Sequence, residues 1–147
     1  SSALRYARCG VLLRGVAVWL PSFQWDLLLP ASSIGLLSVG VLNVNNIRDI
    51  VSDDLAGKQS IAVRVGRSKA IIYHYFLLAS ALVASIIYVV INYRTPDQLL
   101  FLLVTPLLLN NAIAVRNKAL SAEIDPFLKQ LALSALLFVL LFGIGQL

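Results

Sequence analysis

The length of its apolar runs constrains this chain most. A helix needs about 20 mostly apolar residues to cross a bilayer. Leu27–Asn46, Ala70–Asn92 and Phe127–Gln146 each reach that length with few charges. A fourth run, Leu99–Val115, is near the lower limit and contains Pro106. A proline is tolerated in a spanning helix because neighbours can satisfy the carbonyl it frees. Only 13% of the 147 residues are charged and 59% are hydrophobic, against roughly 25% charged in a soluble domain. The predicted fold class is therefore all-α, a polytopic transmembrane bundle of about four spanning helices.

The net charge of +5 sits largely in the connections between runs, which favours membrane orientation over nucleic-acid binding. The loop Ile47–Lys69 carries Arg48, Lys58, Arg64, Arg67 and Lys69 against Asp49, Asp53 and Asp54. The turn Tyr93–Gln98 is balanced, and the loop Arg116–Lys129 is again basic. This alternation predicts that the first and third connections are cytoplasmic and that the second connection and the C-terminus lie outside. Tyr88, Tyr93, Trp19 and Trp25 would mark the outer interface. The single cysteine, Cys9, permits no internal disulfide and matches no metal spacing. Residues 1–22 are an uncertain segment: Val11–Leu20 is too short to span, Arg14 interrupts it, and it reads as the end of a truncated helix with "PSFQWD" as its outer turn. Residues 23–147 form the membrane domain.

The polar residues concentrate in "LNVNNIRDIVSDDLAGKQSIAVRVG", residues 42–66, directly after the first run. Residues three or four apart share a helix face. Were the helix to continue, Asn45, Asp49 and Asp53 would form one stripe, with Asn46 beside it, until Gly57 broke it. Carboxylates on one face repel unless something positive lies between them. A hard divalent cation suits such a stripe, because Mg2+ takes oxygen ligands and bridges carboxylates to substrate phosphates. Lys58 and Arg64 follow within reach of an anion held there. A diphosphate leaving group would be stabilised by that combination. An ordinary solvated loop is the commoner explanation of a lone DxxxD, and "AGKQS" has neither the spacing nor the strand of a P-loop.

The whole pattern is more specific than its parts. Asn45-Asn46-x-Arg48-Asp49-x-x-x-Asp53, then Gly57-Lys58 and "IAVRVG" ending at Gly66, closely resembles the second aspartate-rich motif of the UbiA superfamily of intramembrane prenyltransferases. The "NVNNIRDI" form is similar to the branch that prenylates 1,4-dihydroxy-2-naphthoate in menaquinone biosynthesis. The likeness runs from about Leu27 to Leu147 and includes "YHYFLL" and "FLLVTPLLL".

That resemblance implies two aspartate-rich motifs facing each other across a cavity, holding Mg2+ and a polyprenyl diphosphate. Asp49 and Asp53 would be metal ligands. Lys58, Arg64 and Arg48 would lie at the diphosphate, with Asn45 and Asn46 as supporting polar groups. No catalytic residue is assigned. The implied reaction ionises the allylic C–O bond and lets the naphthoate ring carbon attack the cation, with loss of CO2, on the route to demethylmenaquinone. The implied setting is the bacterial inner membrane, with the motif facing the cytoplasm and the isoprenoid tail in membrane lipid. Another aromatic acceptor, or a non-catalytic helical bundle, are the alternatives.

Two departures matter. Asp54 stands where relatives often have a basic residue, and Val51 where many have another acid. The first aspartate-rich motif is lacking: Asp26 and Asp97 are alone, and Glu123 and Asp125 are two apart in a predicted loop. The expectation is therefore a C-terminal half, inactive by itself and partnered by the missing N-terminal half. Of the remaining polar residues, His74 reads as an interfacial anchor rather than a catalytic group. Asn110 and Asn111 read as helix–helix hydrogen-bonding groups, Arg116 and Lys118 as topology determinants, and Gly143 and Gly145 as close-packing positions.

Overall fold

The computed structural model describes residues 25–147. It is helical throughout, with four helical stretches long and apolar enough to cross a membrane, at Trp25–Arg48, Arg67–Ile91, Pro96–Asn117 and Ser121–Gly145. Cys9, Trp19 and the expected truncated helix within residues 1–22 lie outside the described residues. Helix α1 covers Leu28–Arg48 after one 3-10 turn at Trp25–Leu27. Two short helices follow, α2 at Ile50–Leu55 and α3 at Ile61–Val65. Helix α4 covers Arg67–Ile91, α5 covers Thr105–Asn117 and α6 covers Ser121–Gly145.

The proline-containing third span is not one α-helix. Pro96–Val104 is a 3-10 helix, and α5 begins only at Thr105. A 3-10 helix rises about 2.0 Å per residue against 1.5 Å in an α-helix, so this stretch lengthens a run whose apolar core is short. Pro106 falls in the first turn of α5, where a missing N–H removes no intrahelical bond.

The fourth span starts earlier than its hydropathy suggests. The predicted loop to Lys129 is instead helical from Ser121. Pro126 lies inside α6, and Glu123 Oε2 accepts the Leu120 N–H at 3.3 Å at the helix start. Asp125 is therefore fixed on the first turns of a spanning helix.

Helix α1 packs on α4 and α6, and α6 also packs on the 3-10 segment and α5. Lipid tails are as apolar as leucine, so packing and hydrogen bonds rather than hydrophobicity hold such helices together. Ser85 Oγ donates to Ser33 Oγ at 2.8 Å between α4 and α1. Gly40 admits Leu78 and Leu131 against the α1 backbone. An aromatic cluster of Phe101, Phe138, Phe142 and Tyr88, with centroids 5.4–6.1 Å apart, fills one end. Only 22–39% of each spanning window is buried, and Phe76, Leu103, Leu133 and Val90 point outward.

At that aromatic end, Gln98 Oε1 accepts the Arg94 N–H at 2.7 Å, and Gln98 Nε2 donates to Gln146 Oε1 at 3.0 Å. A Cβ on Gly145 would come within 2.5 Å of the Asp97 carbonyl oxygen, so glycine is required there. Gly143 has open space around it, and the close-packing role expected for it does not hold. The opposite end carries the acidic motif. There Arg67, at the start of α4, donates to the carbonyls of Val115 and Lys118 and caps the C-terminus of α5, where a cation also meets the negative end of the helix dipole.

Candidate functional site

The acidic motif begins where α1 ends. The backbone leaves helical geometry at Asp49, with φ −95° and ψ 10°. The hydrogen-bond ladder nevertheless carries through. Asp49 N–H donates to Asn45 O at 3.0 Å, and Asp53 N–H donates to Asp49 O at 2.8 Å. The i, i+4, i+8 register of Asn45, Asp49 and Asp53 therefore survives the break.

Gly57 ends the segment at φ +73°, a conformation that only glycine adopts without cost. Lys58 N–H returns to Asp53 O at 2.8 Å, and Gly57 N–H to Asp54 O at 3.0 Å. This is a Schellman closure, and it brings Lys58 Nζ to 3.3 Å from Asp53 Oδ1. Glycine at position 57 thus sets the lysine beside the second aspartate. Gly66, at φ +84°, turns the chain from α3 into α4.

Arg48 is the hub of the first aspartate. Its Nε donates to Asp49 Oδ1 at 2.7 Å and its Nη2 to Asp49 Oδ2 at 2.9 Å. Nη2 also donates to Asn45 Oδ1 at 2.9 Å, and Nη1 to Asp125 Oδ1 at 2.7 Å. The hydrogen bonds from Arg48 hold the Asp49 carboxyl below its ordinary value, against the opposing effect of burial. Bidentate guanidinium–carboxylate pairs are the stronger kind of ion pair.

Asp53 is 8% exposed, and its Oδ2 is buried without a hydrogen-bond partner among the described residues. A buried, unsatisfied carboxylate oxygen is costly. Asn43 Oδ1 and Ser60 Oγ of the same stretch are also buried without a partner among the described residues, but of the three only Asp53 Oδ2 belongs to a carboxylate and calls for a positive group. Asn46 is buried and makes no side-chain hydrogen bond among the described residues. Arg64, on α3, is exposed and forms no ion pair among the described residues. The structure thus joins Asn45, Arg48 and Asp49 in one network and Asp53 with Lys58 in another, and leaves Arg64 apart. Asp54 is exposed.

Among the described residues, no three His, Cys, Asp or Glu side chains cluster closely enough to form a complete metal site. The donors present are hard oxygens, from Asp49, Asp53 and Asn45. Mg2+ is commonly bound through one or two carboxylates, with water and substrate phosphates completing its shell. The donor set therefore suits one side of such a site.

Two residues have contacts that the sequence reading did not assign. Asn43 is 2% exposed and donates through Nδ2 to Ala70 O at 2.9 Å, tying α1 to α4. Asp125 reaches Arg48 from α6 and also pairs with Lys129 at 3.3 Å. The available signal was topological: connections one and three leave the bundle at the same end, so charges in both can meet. His74 faces the interior of the bundle and is not an outward-facing anchor. It is fully buried, 3.1 Å from Asn111 Oδ1 through its Nε2. Asn111 is a helix–helix linker as expected, whereas Asn110 is exposed.

Comparison with known proteins agrees with this picture. Residues 6–133 match the UbiA prenyltransferase family. A 1,4-dihydroxy-2-naphthoate octaprenyltransferase of Haemophilus influenzae is 38% identical over 140 residues, covering 94% of this chain and 46% of that protein. Proteins of the same name are 40% identical in Escherichia coli, over 81% of this chain and 39% of the relative, and 35% identical in Mycobacterium tuberculosis, over 80% and 39%. The chain thus spans less than half the length of these curated relatives. No solved structure matches it.

Proposed function

This chain belongs to the UbiA prenyltransferase family, and from that premise we propose that it contributes one side of the active site of a polyprenyltransferase acting on 1,4-dihydroxy-2-naphthoate. The observation that carries the reading is the acidic motif itself. Its register is preserved at the end of a spanning helix, and it keeps a buried, unpartnered carboxylate oxygen on Asp53. Relatives of 35–40% identity bear the naphthoate octaprenyltransferase name. Asp49 and Asp53 would hold Mg2+, with Asn45 as an additional oxygen donor. Bound there, the ion would supply Lewis-acid stabilisation of charge on a departing diphosphate.

The chain's own residues do the remaining work. Lys58, held at Asp53 by the Gly57 turn, has a side chain that is 60% exposed, so its ammonium can meet a phosphate oxygen. Arg64 is free to turn toward the same anion. The polyprenyl tail lies in lipid along the outward faces of the helices, and the motif end faces the cytoplasm of a bacterial inner membrane. Heterolysis moves the C–O bonding pair onto the diphosphate, and the ring carbon of the naphthoate supplies the new C–C bond as CO2 leaves.

The seven acidic residues of the chain contain a single DxxxD. One such motif leaves a diphosphate–metal complex open on its other side, and charges in a bilayer are costly unless paired or hydrated. The chain by itself is therefore expected to transfer no prenyl group, and to do so when joined by the N-terminal half of a relative. An assay of the purified chain, with and without that half, in the presence of Mg2+, 1,4-dihydroxy-2-naphthoate and a polyprenyl diphosphate tests both statements. Turnover by the chain alone overturns the first. No turnover from the pair, once both are shown to be inserted and associated, overturns the second.

A further inference from the structure

We propose that Asp125 is a positioning residue for the acidic motif: from α6 it shares the charge of Arg48, so that Asp49 remains able to give its carboxylate to a divalent cation. The inference rests on the metal-binding reading above and deepens it. It assigns a role to a residue outside the motif, on the last spanning helix.

The argument is one of competition. The two carboxylate oxygens of Asp49 both accept from Arg48, at 2.7 and 2.9 Å. A cation at Asp49 needs those same oxygens, so the guanidinium and the metal draw on one ligand. How firmly Arg48 holds Asp49 depends on what else Arg48 holds. Its other partners are Asn45 Oδ1, which is neutral, and Asp125 Oδ1 at 2.7 Å. Asp125 is thus the anion that lets Arg48 keep a counter-charge when Asp49 turns to a metal. Without it, Asp49 would be the one anion on an arginine whose side chain is 23% exposed, and giving up that carboxylate would leave only Asn45 and water to answer the charge. Lys129, 3.3 Å from Asp125, makes the group of Arg48, Asp49, Asp125 and Lys129 neutral as a whole, so the effect on a cation runs through Arg48 and not through net charge. The isolated Arg48–Asp125 pair would add little to stability, since the aspartate side chain is 40% exposed and such pairs are weak. Its consequence is for ligand binding.

Mn2+ alone is the probe, titrated into the full chain in detergent, with free ion read by electron paramagnetic resonance. Asp125→Asn is expected to raise the Mn2+ dissociation constant about tenfold, the scale of outer-shell substitutions. Asp125→Glu restores it to within about threefold. In an Arg48→Met background, Asp125→Asn should change affinity less than about twofold, because the residue acts through Arg48. Two results overturn the inference: Asp125→Asn binding as tightly as wild type, or an equal loss in both backgrounds, which assigns Asp125 a long-range charge effect only. Failure of the metal reading is distinct. If the wild-type chain binds no Mn2+, or binding ignores Asp53→Asn, that reading falls and takes the inference with it.

Discussion

His74 Nε2 lies 3.1 Å from Asn111 Oδ1 in the interior of the bundle. Asn111 Nδ2 donates to Phe127 O at 2.7 Å, which fixes the amide with its oxygen toward the ring, so His74 donates. One amide thereby links α4, α5 and α6. Inter-helix hydrogen bonds in membrane bundles contribute about 0.6 kcal/mol on average and up to roughly 2. Asn111→Leu should lower unfolding stability in detergent by about that much, because it strands the ring N–H. Asn110→Leu, at an exposed position, should stay within about 0.5 kcal/mol of wild type. Equal effects of the two substitutions would show that the link does not stabilise the bundle.

Gly145 and Gly143 offer a sharper contrast, because they are two residues apart on one helix. A methyl group at 145 would collide with the Asp97 carbonyl, whereas one at 143 meets nothing within 4 Å. Overpacking of this kind costs about 1–3 kcal/mol. Gly145→Ala should therefore destabilise by about that amount. Gly143→Ala should stabilise by about 0.5–1 kcal/mol through helix propensity. Melting temperatures of the two variants in the same detergent decide it, and a stable Gly145→Ala would mean that the 3-10 segment can retreat.

That contrast also measures what the sequence made legible. Four spans, their order and the motif were readable, because apolar length and Asn/Asp spacing are local properties. The start of α6 was not, because Pro126 and the charges around it read as a loop until the helix was known to begin at Ser121. The Gly57 turn was readable as a break. That it would fold Lys58 back onto Asp53 depends on backbone dihedrals that composition does not express. The Arg48–Asp125 pair, 77 residues apart, needs the helices placed side by side first.

The Arg48–Asp49 pair carries a pH dependence. Hydrogen bonds from Arg48 lower the Asp49 value in the folded state below its ordinary one. A depressed folded value means that the unfolded chain takes up the proton first as pH falls. The pair's stabilisation is thus fully present above the unfolded aspartate range, near pH 4, and drains away as pH drops through the folded value. Arg48→Met should flatten the acid side of the stability–pH curve below about pH 4 and leave its shape near pH 7 unchanged. Denaturant midpoints between pH 7 and pH 3 provide the comparison, and parallel curves for the two proteins would show that Asp49 is not held by Arg48.

The two aspartates themselves are best tested in the paired enzyme, where the chain is joined by the N-terminal half of a relative. Asp53 has the unpartnered oxygen, whereas Asp49 must first share its carboxylate with Arg48. Losing a direct ligand should cost at least as much as losing an outer-shell partner, on the order of 100-fold in turnover. Asp53→Asn is expected to show that loss outright. Asp49→Asn should show it together with a steeper requirement for added Mg2+, since Asp53 is then the one carboxylate of the motif left to hold the ion. Lys58→Gln removes an exposed cation and no ligand, so it should raise KM for the polyprenyl diphosphate about tenfold while kcat falls less. Assays at several Mg2+ and donor concentrations separate these outcomes. Full activity in both aspartate variants would show that this chain gives the pair its helices but no metal ligand.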